Sequence, residues 1–289
     1  MGDIYALLTA FCWSVAVILF DISSNRLNPL QINIVKNFIG VVGFILTIFI
    51  LSIPYPNFSD NQLIILLISG IVGVGIADLL FLESLKNIGS SLSAIVATIY
   101  APSVFIIAYI LFGENITLNS IIGSFLVLGG IIISTYNSNR YSKSSKLLIG
   151  IIFGALAHIL TAISVLIVKP IMLDNPILYI ALIRFSIGLI STMLFMLFRS
   201  GLTKLAMTFK EGYSNIYLIS GSFFGTYLSV ILWLAGYKYT LAGRAAIYNQ
   251  LSTILISILA VIFLKEKLTN KKKIGIVLSF IGAIIVSIK

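Results

Sequence analysis

The sequence contains one pattern twice, and this internal repeat limits the possible folds more than any other feature. Each copy consists of an apolar segment, a short polar turn and a second apolar segment, first in residues 94–130 and again in residues 246–282. The two copies match at one constant offset, which pairs Glu114 with Glu266, Thr117 with Thr269, Gly123 with Gly275 and Gly130 with Gly282. Self-similarity of this kind predicts a chain built from two related structural units.

The composition predicts an integral membrane protein. Hydrophobic residues make up 59% of the 289 residues and charged residues only 10%, with a mean hydropathy of +1.12. Soluble domains are typically about 25% charged, so this chain cannot cover itself with a water-compatible surface. A membrane-spanning helix needs roughly 20 apolar residues, and about ten such segments would use most of the length.

The apolar segments predict an all-α membrane protein with ten transmembrane helices. They cover residues 2–20, 31–53, 63–85, 92–112, 118–135, 148–168, 176–198 and 217–236, and the last two helices lie in the second copy of the repeat. The polar connection 136–146 divides the chain into a first five-helix repeat, 1–140, and a second, 141–289. Because five is odd, the second repeat must cross the membrane in the opposite sense. Inverted repeats recur in secondary transporters, whose substrate site lies near the midplane.

Several other function classes are disfavoured by the residue counts. The net charge of +10 arises from Lys and Arg in the connections, where they set topology or contact anionic lipid, so we predict no nucleic-acid partner. One Cys, one His and nine scattered acidic residues do not suit a metal site or a nucleophile–base pair. We therefore predict no enzyme activity, no cofactor and no metal. The expected partners are a small-molecule substrate and the lipid bilayer, with a monomer and a homodimer both open.

Three short motifs carry a family resemblance. Trp13-Ser14 lies in the first helix, and Ala101-Pro102-Ser103 precedes the turn that runs from Phe112 to Thr117. These motifs resemble the aromatic–small element, the proline-containing fourth helix and the Gly-Glu-x-x-Thr turn of EamA-type members of the drug/metabolite transporter superfamily. The resemblance implies a ten-helix transporter of small metabolites, with export the commoner role.

The second copy departs from that family pattern at two positions. Lys265 stands where the family usually has glycine, and Ile254 stands where the proline would fall. We therefore expect the two halves to differ in how they bend and turn.

Three charged residues lie several residues away from the ends of predicted helices. Lys36 and Arg184 occupy matched positions of the two halves, and Asp78 is predicted at a similar depth to Lys36. Intramembrane charges are costly and indicate function by default, although a long cation about 9–12 Å from its helix end can also extend to the interface. Lys36 and Asp78 are expected to form an ion pair, either a static one or a proton- or cation-linked gate. Ser229 replaces the acid in the second half, so we hypothesise that Arg184 receives an anionic group of the substrate.

Polar residues mark two further helices. His158 shares a helix face with Gly154 and Thr161, and its imidazole suits either proton coupling or helix packing. A polar stripe on the ninth predicted helix would bind substrate or join helices by hydrogen bonds; it comprises Asn249, Ser252, Thr253 and Ser257. Four aromatic residues complete the predicted substrate cavity, with packing in the membrane core as the alternative: Trp13, Tyr100, Tyr227 and Tyr248.

Two glutamates in turns and the N-terminal segment give two further predictions. Glu114 and Glu266 are expected to cap the helices that follow them, where the helix dipole favours an anion. Asp3 replaces the basic region of a signal peptide and no small-residue cleavage site follows, so we expect a retained first helix.

The orientation in the membrane is left open because two indications disagree. Connections on one side of the predicted membrane hold thirteen cations: Arg26, Lys86, Arg140, Lys143, Lys146, Arg199, Lys204, Lys210, Lys265, Lys267, Lys271, Lys272 and Lys273. The other side holds four: Lys169, Lys238, Arg244 and Lys289. The positive-inside rule therefore predicts both termini outside, whereas the family resemblance implies both termini in the cytoplasm.

Together these features predict a secondary transporter of the cell membrane. It would move a small metabolite, amino-acid-like or otherwise polar, by alternating access between inverted halves, with export as the expected direction. No Walker-type phosphate loop is present in the sequence, so an ion gradient or the substrate gradient would drive transport. The alternatives are a non-transporting membrane sensor or scaffold, and a lipid or drug carrier of the same fold.

Overall fold

A computed structural model describes residues 1–113, 117–135, 145–240 and 242–287. Within these ranges every regular element is helical and no strand occurs. The α-helices are α1 (Gly2–Ser24), α2 (Pro29–Ile50), α3 (Asp60–Ser69), α4 (Asp78–Ala97), α5 (Tyr100–Phe112), α6 (Leu118–Thr135), α7 (Ser145–Asp174), α8 (Ile177–Tyr213), α9 (Ile216–Ser222), α10 (Ser229–Tyr239), α11 (Ala242–Leu264) and α12 (Asn270–Ser287).

Six helical stretches are long and apolar enough to cross a membrane. They are Gly2–Ser24, Pro29–Ile50, Asp60–Ala97, Ser145–Asp174, Ile177–Tyr213 and Ile216–Tyr239. Three shorter apolar helices accompany them: Tyr100–Phe112, Ile121–Ile133 and Tyr248–Leu264. The predicted class of all-helical, multi-pass membrane protein is therefore confirmed.

Two π-helical segments lie at corresponding positions of the two halves. Gly70–Ala77 joins α3 to α4, and Phe223–Leu228 joins α9 to α10. The first segment begins within the Ser69-Gly70 pair that the sequence matches to Ser220-Gly221. Single π turns inside α-helices are rare and concentrate at functional sites, and both segments here contribute to the central cavity described below.

Two glycines interrupt helices at places where the sequence analysis predicted longer connections. Gly89 has φ +75° inside α4, so the predicted connection over 86–91 is a single-residue break. Gly201 has φ +77° inside α8, and helix resumes beyond it over 202–213, which the sequence analysis placed in a connection. This extension is held to α2, because Gln31 donates from Nε2 to Glu211 Oε2 at 2.8 Å.

The two halves differ where the proline is missing. The predicted helix over 92–112 is interrupted at Thr98 and Ile99, between α4 and α5. Pro102 has no N–H to donate to the Thr98 carbonyl, which is the bond that a continuous helix requires. Ile254 restores that donor in the second half, and α11 runs unbroken from Ala242 to Leu264. The expectation that the halves bend differently is confirmed.

The turns after these helices are alike despite the change of residue. Gly113 follows α5 with φ +66°, and Lys265 follows α11 with φ +57°. The Lys265 turn is closed by the Glu266 amide, which donates to the Ala260 carbonyl at 3.2 Å. Lysine therefore adopts a left-handed conformation that costs an L-residue with a Cβ roughly 1–2 kcal/mol.

Replacing Lys265 with glycine is expected to raise the free energy of unfolding by about 1 kcal/mol, because the strained conformation costs glycine nothing. Thermal or chemical unfolding of the purified protein in detergent measures the change. Lys265→Ala is the matched control, since it removes the charge but keeps the Cβ, and it should not stabilise. Equal stabilisation by both variants would attribute the effect to the charge instead.

The helices pack in a reciprocal pattern across the two halves. α1 lies along α11 and α10, while α7 lies along α4 and the first π segment. α2 packs on α8, and α6 packs on α12. When a helix of one half contacts a helix of the other, their counterparts make the same contact. This symmetry is what the sequence repeat requires. The consequence for the site is that residues of both halves meet at the centre.

Candidate functional site

A cavity of about 160 Å³ lies at the centre of the helical bundle. Its walls come from both halves of the chain, including α1, α2, α7, α8, α11 and the two π segments. Seven of the nine residues predicted for the substrate cavity lie in its wall: Trp13, Lys36, Asp78, Tyr100, His158, Arg184 and Asn249. Aromatic and polar neighbours complete the wall, among them Phe81, Thr161, Phe185, Trp233, Gln250 and Ser252.

The predicted ion pair between the first two charged residues is present. Lys36 Nζ lies 2.5 Å from Asp78 Oδ2 and donates a second bond to Asn37 Oδ1 at 2.8 Å. The side chain of Lys36 is 6% exposed, whereas that of Asp78 is 25% exposed. Lys36 therefore does not extend to the membrane interface, and the carboxylate is the member of the pair that faces the cavity space.

Arg184 lies in the wall without a counterion. It is 1% exposed, and Nη2 donates to Ser164 Oγ at 2.8 Å. Among the described residues, its Nε and Nη1 groups have no hydrogen-bond partner and no carboxylate lies within ion-pair distance. The guanidinium carbon lies 5.9 Å from the centroid of the Trp233 ring, which provides cation–π contact. A buried cation with free donors can bind an anionic group.

His158 and Tyr100 lie against one another in the same wall. The His158 ring contacts the rings of Phe81 and Tyr100, at centroid distances of 5.9 and 6.4 Å. Its Nε2 has no hydrogen-bond partner among the described residues. The Tyr100 hydroxyl is 2.5 Å from the Tyr237 hydroxyl. One of these buried hydroxyls donates to the other, which ties α5 to α10.

The predicted polar stripe on α11 divides into two groups. Asn249 and Ser252 line the cavity, and Asn249 Oδ1 is buried without a partner among the described residues. Thr253 donates instead to the Ala94 carbonyl of α4 at 3.3 Å, and Ser257 donates to the Thr253 carbonyl at 2.8 Å. The stripe thus faces the cavity at one end and packs helices at the other.

The structure places two of the nine predicted residues outside the cavity wall. The Tyr227 hydroxyl lies 2.6 Å from Thr47 Oγ1, and its ring packs between Phe44 and Phe223. Tyr248 lies on α11 and is not among the residues that line the cavity. The Tyr227 side chain therefore belongs to helix contacts beside the cavity.

Sequence reasoning missed Trp233, Phe185 and Tyr237. The two tryptophans of the chain, Trp13 and Trp233, both line the cavity, and their rarity was the one available signal for the second. Phe185 and Tyr237 are hydrophobic residues in hydrophobic helices, so nothing in the sequence distinguished them from membrane-facing side chains.

Glu266 caps a helix, but a different one from the helix predicted. Its Oε1 accepts from the Ser90 amide at 3.1 Å, at the point where α4 resumes after Gly89, and Lys272 Nζ lies 3.5 Å from Oε2. α12 is capped instead by Thr269 Oγ1, which accepts from the Lys272 amide at 3.3 Å. The predicted role of the matched residue, Glu114, lies outside the described residues.

A second carboxylate shares the same helix start. Asp21 Oδ2 accepts from Ser90 Oγ at 2.5 Å and from the Ser90 amide at 3.2 Å. Asp21 lies near the end of α1, so Ser90 joins α1, α4 and the connection before α12 at one end of the bundle. The two carboxylates share the Ser90 amide, which is one of the orphan donors of this helix N-terminus, and they complement its dipole.

We expect Asp21→Ala and Ser90→Ala each to lower the free energy of unfolding by about 1–3 kcal/mol, the range for hydrogen bonds to charged groups. Because they remove the same contact, the double variant should lose less than the sum of the two losses. Ser23→Ala is the control, since Ser23 Oγ bonds only the Leu19 carbonyl of its own helix. Additive losses for Asp21 and Ser90 would contradict the shared contact.

Taken with the long apolar helices, the central cavity defines a multi-pass membrane protein that can hold a small molecule inside the bundle. No group of three or more potential metal ligands occurs in the part of the chain described. The sequence model of the EamA-like transporter family matches residues 1–136 and 148–288. The chain therefore belongs to this family, which is part of the drug/metabolite transporter superfamily.

Two relatives and one solved structure agree with this assignment. An uncharacterized transporter of Archaeoglobus fulgidus is 22% identical over 271 residues, which cover 94% of this chain and 92% of the relative. An uncharacterized transporter of Clostridium kluyveri is 24% identical over 148 residues, which cover 50% of this chain and only 47% of the relative. A protein crystal structure with 13% identity covers 98% of this chain and 95% of its own with a TM-score of 0.71, and this likeness concerns the fold alone. These relatives indicate a transporter rather than an enzyme.

Proposed function

We propose that the chain is a secondary transporter that exports a small polar or charged metabolite across the cell membrane by alternating access. The observation that carries this proposal is the central cavity, whose wall contains charged residues of both halves, Lys36 and Asp78 from one and Arg184 from the other. Charges buried inside a membrane protein are costly, and they indicate a substrate or ion pathway by default. A polar or charged solute bound in the cavity would interact with these charges.

The proposed architecture is ten membrane spans in two inverted five-helix repeats. Reciprocal packing supports it, because α1 on α11 and α7 on α4 are the same contact seen from each half. The two matched π segments support it as well. In transporters of this architecture the halves rock around a fixed midplane site, and the break at Thr98 and Ile99 gives the first half a bending point that α11 does not have.

The proposal is tested by transport assays on purified protein. A panel of small metabolites is first screened by thermal shift, since a ligand that binds the folded state raises its stability. Hits are then tested for flux in proteoliposomes, with and without a pH gradient. We expect saturable flux of at least one hit. Absence of flux in either direction for every hit that binds would overturn the transport proposal and favour a sensor or scaffold.

A pair of variants connects the flux to the cavity. Trp233→Ala changes a cavity-lining side chain and is expected to alter the flux or its apparent affinity. Tyr217→Ala, close by in the sequence, removes a side chain that is 49% exposed and lies outside the cavity wall, so it should leave the flux unchanged. Equal effects of the two variants would show that transport does not pass through this cavity.

A further inference from the structure

We propose that the cavity binds a small monocarboxylate with an apolar body, held by its carboxylate on Arg184; this inference names the substrate class of the proposed transport site. Among the residues that the structure describes, the cavity wall contains two cations and one anion, namely Lys36, Arg184 and Asp78. Asp78 is already paired with Lys36 at 2.5 Å. One positive charge is therefore uncompensated, and a monoanion would neutralise the site.

The surroundings of Arg184 hold the guanidinium ready for a carboxylate. Nη2 is fixed by Ser164 Oγ, and Ser164 is in turn fixed by Ser69, whose Oγ donates to the Ser164 carbonyl at 2.8 Å. The Trp233 ring lies near the guanidinium carbon. Nε and Nη1 have no acceptor among the described residues, so charged N–H donors of the guanidinium remain for the oxygens of a carboxylate.

The same charge balance excludes other classes of small solute. A cationic solute would add a third positive charge to a site that already has one in excess, which is repulsive. The ammonium of a zwitterion would have to compete with Lys36 for Asp78, and the excess positive charge would remain after binding. A proton on His158 would increase that excess further. The monoanion is the one charge state that the wall balances.

Size and wall chemistry describe the rest of the ligand. The cavity of about 160 Å³ is close to the roughly 150 Å³ of an engineered apolar cavity that takes up benzene. Rings from Trp13, Phe81, Phe185 and Trp233 line it, so an apolar body of about six carbon atoms would be well packed. Benzoate has this size, this body and one carboxylate, and it is therefore a suitable probe.

The test compares three ligands that share a phenyl ring and differ in charge, together with one zwitterionic amino acid of similar size. Benzoate, neutral benzamide, cationic benzylamine and zwitterionic leucine are added to the wild-type protein in detergent, and the shift in Tm is followed against concentration. Flux of radiolabelled benzoate is then measured in proteoliposomes. We expect saturable benzoate binding that benzamide and benzylamine do not compete for. Preference for benzamide, benzylamine or leucine over benzoate would overturn the monocarboxylate assignment without any variant being needed.

Variants then assign the binding to one residue. Arg184→Gln should weaken benzoate binding at least about tenfold, as expected for loss of a charged hydrogen-bond donor. Its own Tm without ligand should not fall, because the change removes an unpaired buried charge. Arg184→Lys keeps the charge without the fork and should bind with intermediate affinity. Arg199→Gln, at an exposed position of the same helix, is the control and should bind as the wild type does.

The outcomes separate this inference from the transport proposal. Benzoate binding that depends on Arg184, without benzoate flux, would support the anion site and contradict transport of this class. Flux of leucine or benzylamine, with no benzoate binding, would support transport and overturn the monocarboxylate site. Benzoate affinity that is unchanged in both Arg184 variants would place the carboxylate elsewhere and would overturn the inference.

Discussion

Asp78→Ala is expected to lower the free energy of unfolding by about 3–5 kcal/mol, the cost of breaking a buried ion pair. The reason lies with the partner that is left behind. Lys36 has a side chain only 6% exposed, and without Asp78 its ammonium retains a bond to Asn37 Oδ1 but no counterion. Chemical or thermal unfolding in detergent, compared with the wild type under identical conditions, measures the loss.

The reverse substitution should cost less. Lys36→Met leaves Asp78 unpaired, but this side chain is 25% exposed, and Arg184 remains as a cation in the same cavity wall. A double variant, Lys36→Met with Asp78→Leu, should recover most of the stability, since an apolar pair of similar volume replaces a buried ion pair at little cost. Asp60→Asn, at an exposed position, is the control. Losses of equal size for both single variants would contradict the asymmetry.

Gly282→Ala and Gly130→Ala are each expected to destabilise the protein by about 1–3 kcal/mol or more, the range for overpacking a close contact. A Cβ at Gly282 would lie 2.6 Å from the Gly123 carbonyl oxygen, and one at Gly130 would lie 2.8 Å from that of Gly275. These neighbours are backbone atoms, so the clash can be relieved only by moving α6 and α12 apart.

Gly129 provides the matched control within the same helix. A Cβ added there would meet only Leu278 Cδ2 at 3.6 Å, an ordinary contact, and alanine has the higher helix propensity. Gly129→Ala should therefore be neutral or slightly stabilising in the same unfolding assay. If all three glycine variants behaved alike, close packing of α6 on α12 would not be the cause.

The helical class and much of the cavity wall followed from the sequence because they depend on strong, local signals. Apolar segments of membrane length predict helices without any knowledge of their neighbours. A charged residue inside such a segment must find a protected place, which is why Lys36, Asp78 and Arg184 could be selected in advance. The constant offset between the two repeats also matched Lys36 with Arg184, although these residues lie far apart in the sequence.

The remaining cavity residues could not be predicted because they depend on how each helix is rotated about its own axis. In a membrane protein, the hydropathy of a sequence does not show which face of a helix points inward. Lipid is as apolar as the protein interior, so a helix can be equally hydrophobic on both faces. Trp233 therefore could not be separated from exposed aromatics, nor Tyr227 from cavity residues. Glu266 was assigned to the nearest helix in sequence, whereas its partner is Ser90, in the other half. The π segments likewise arise from tertiary packing.

The contact between α6 and α12 also bears on how a chain of this kind could arise. Gly130 meets the backbone of Gly275, and Gly282 meets the backbone of Gly123, while the sequence repeat equates Gly130 with Gly282 and Gly123 with Gly275. The same surface thus contacts itself across an approximate two-fold axis, which defines an isologous interface. In the proposed inverted arrangement, a half-length ancestor would form this contact as a homodimer of two oppositely inserted copies. Fusion of those copies would then have freed each half to diverge, and the halves now differ at Pro102 and Ile254.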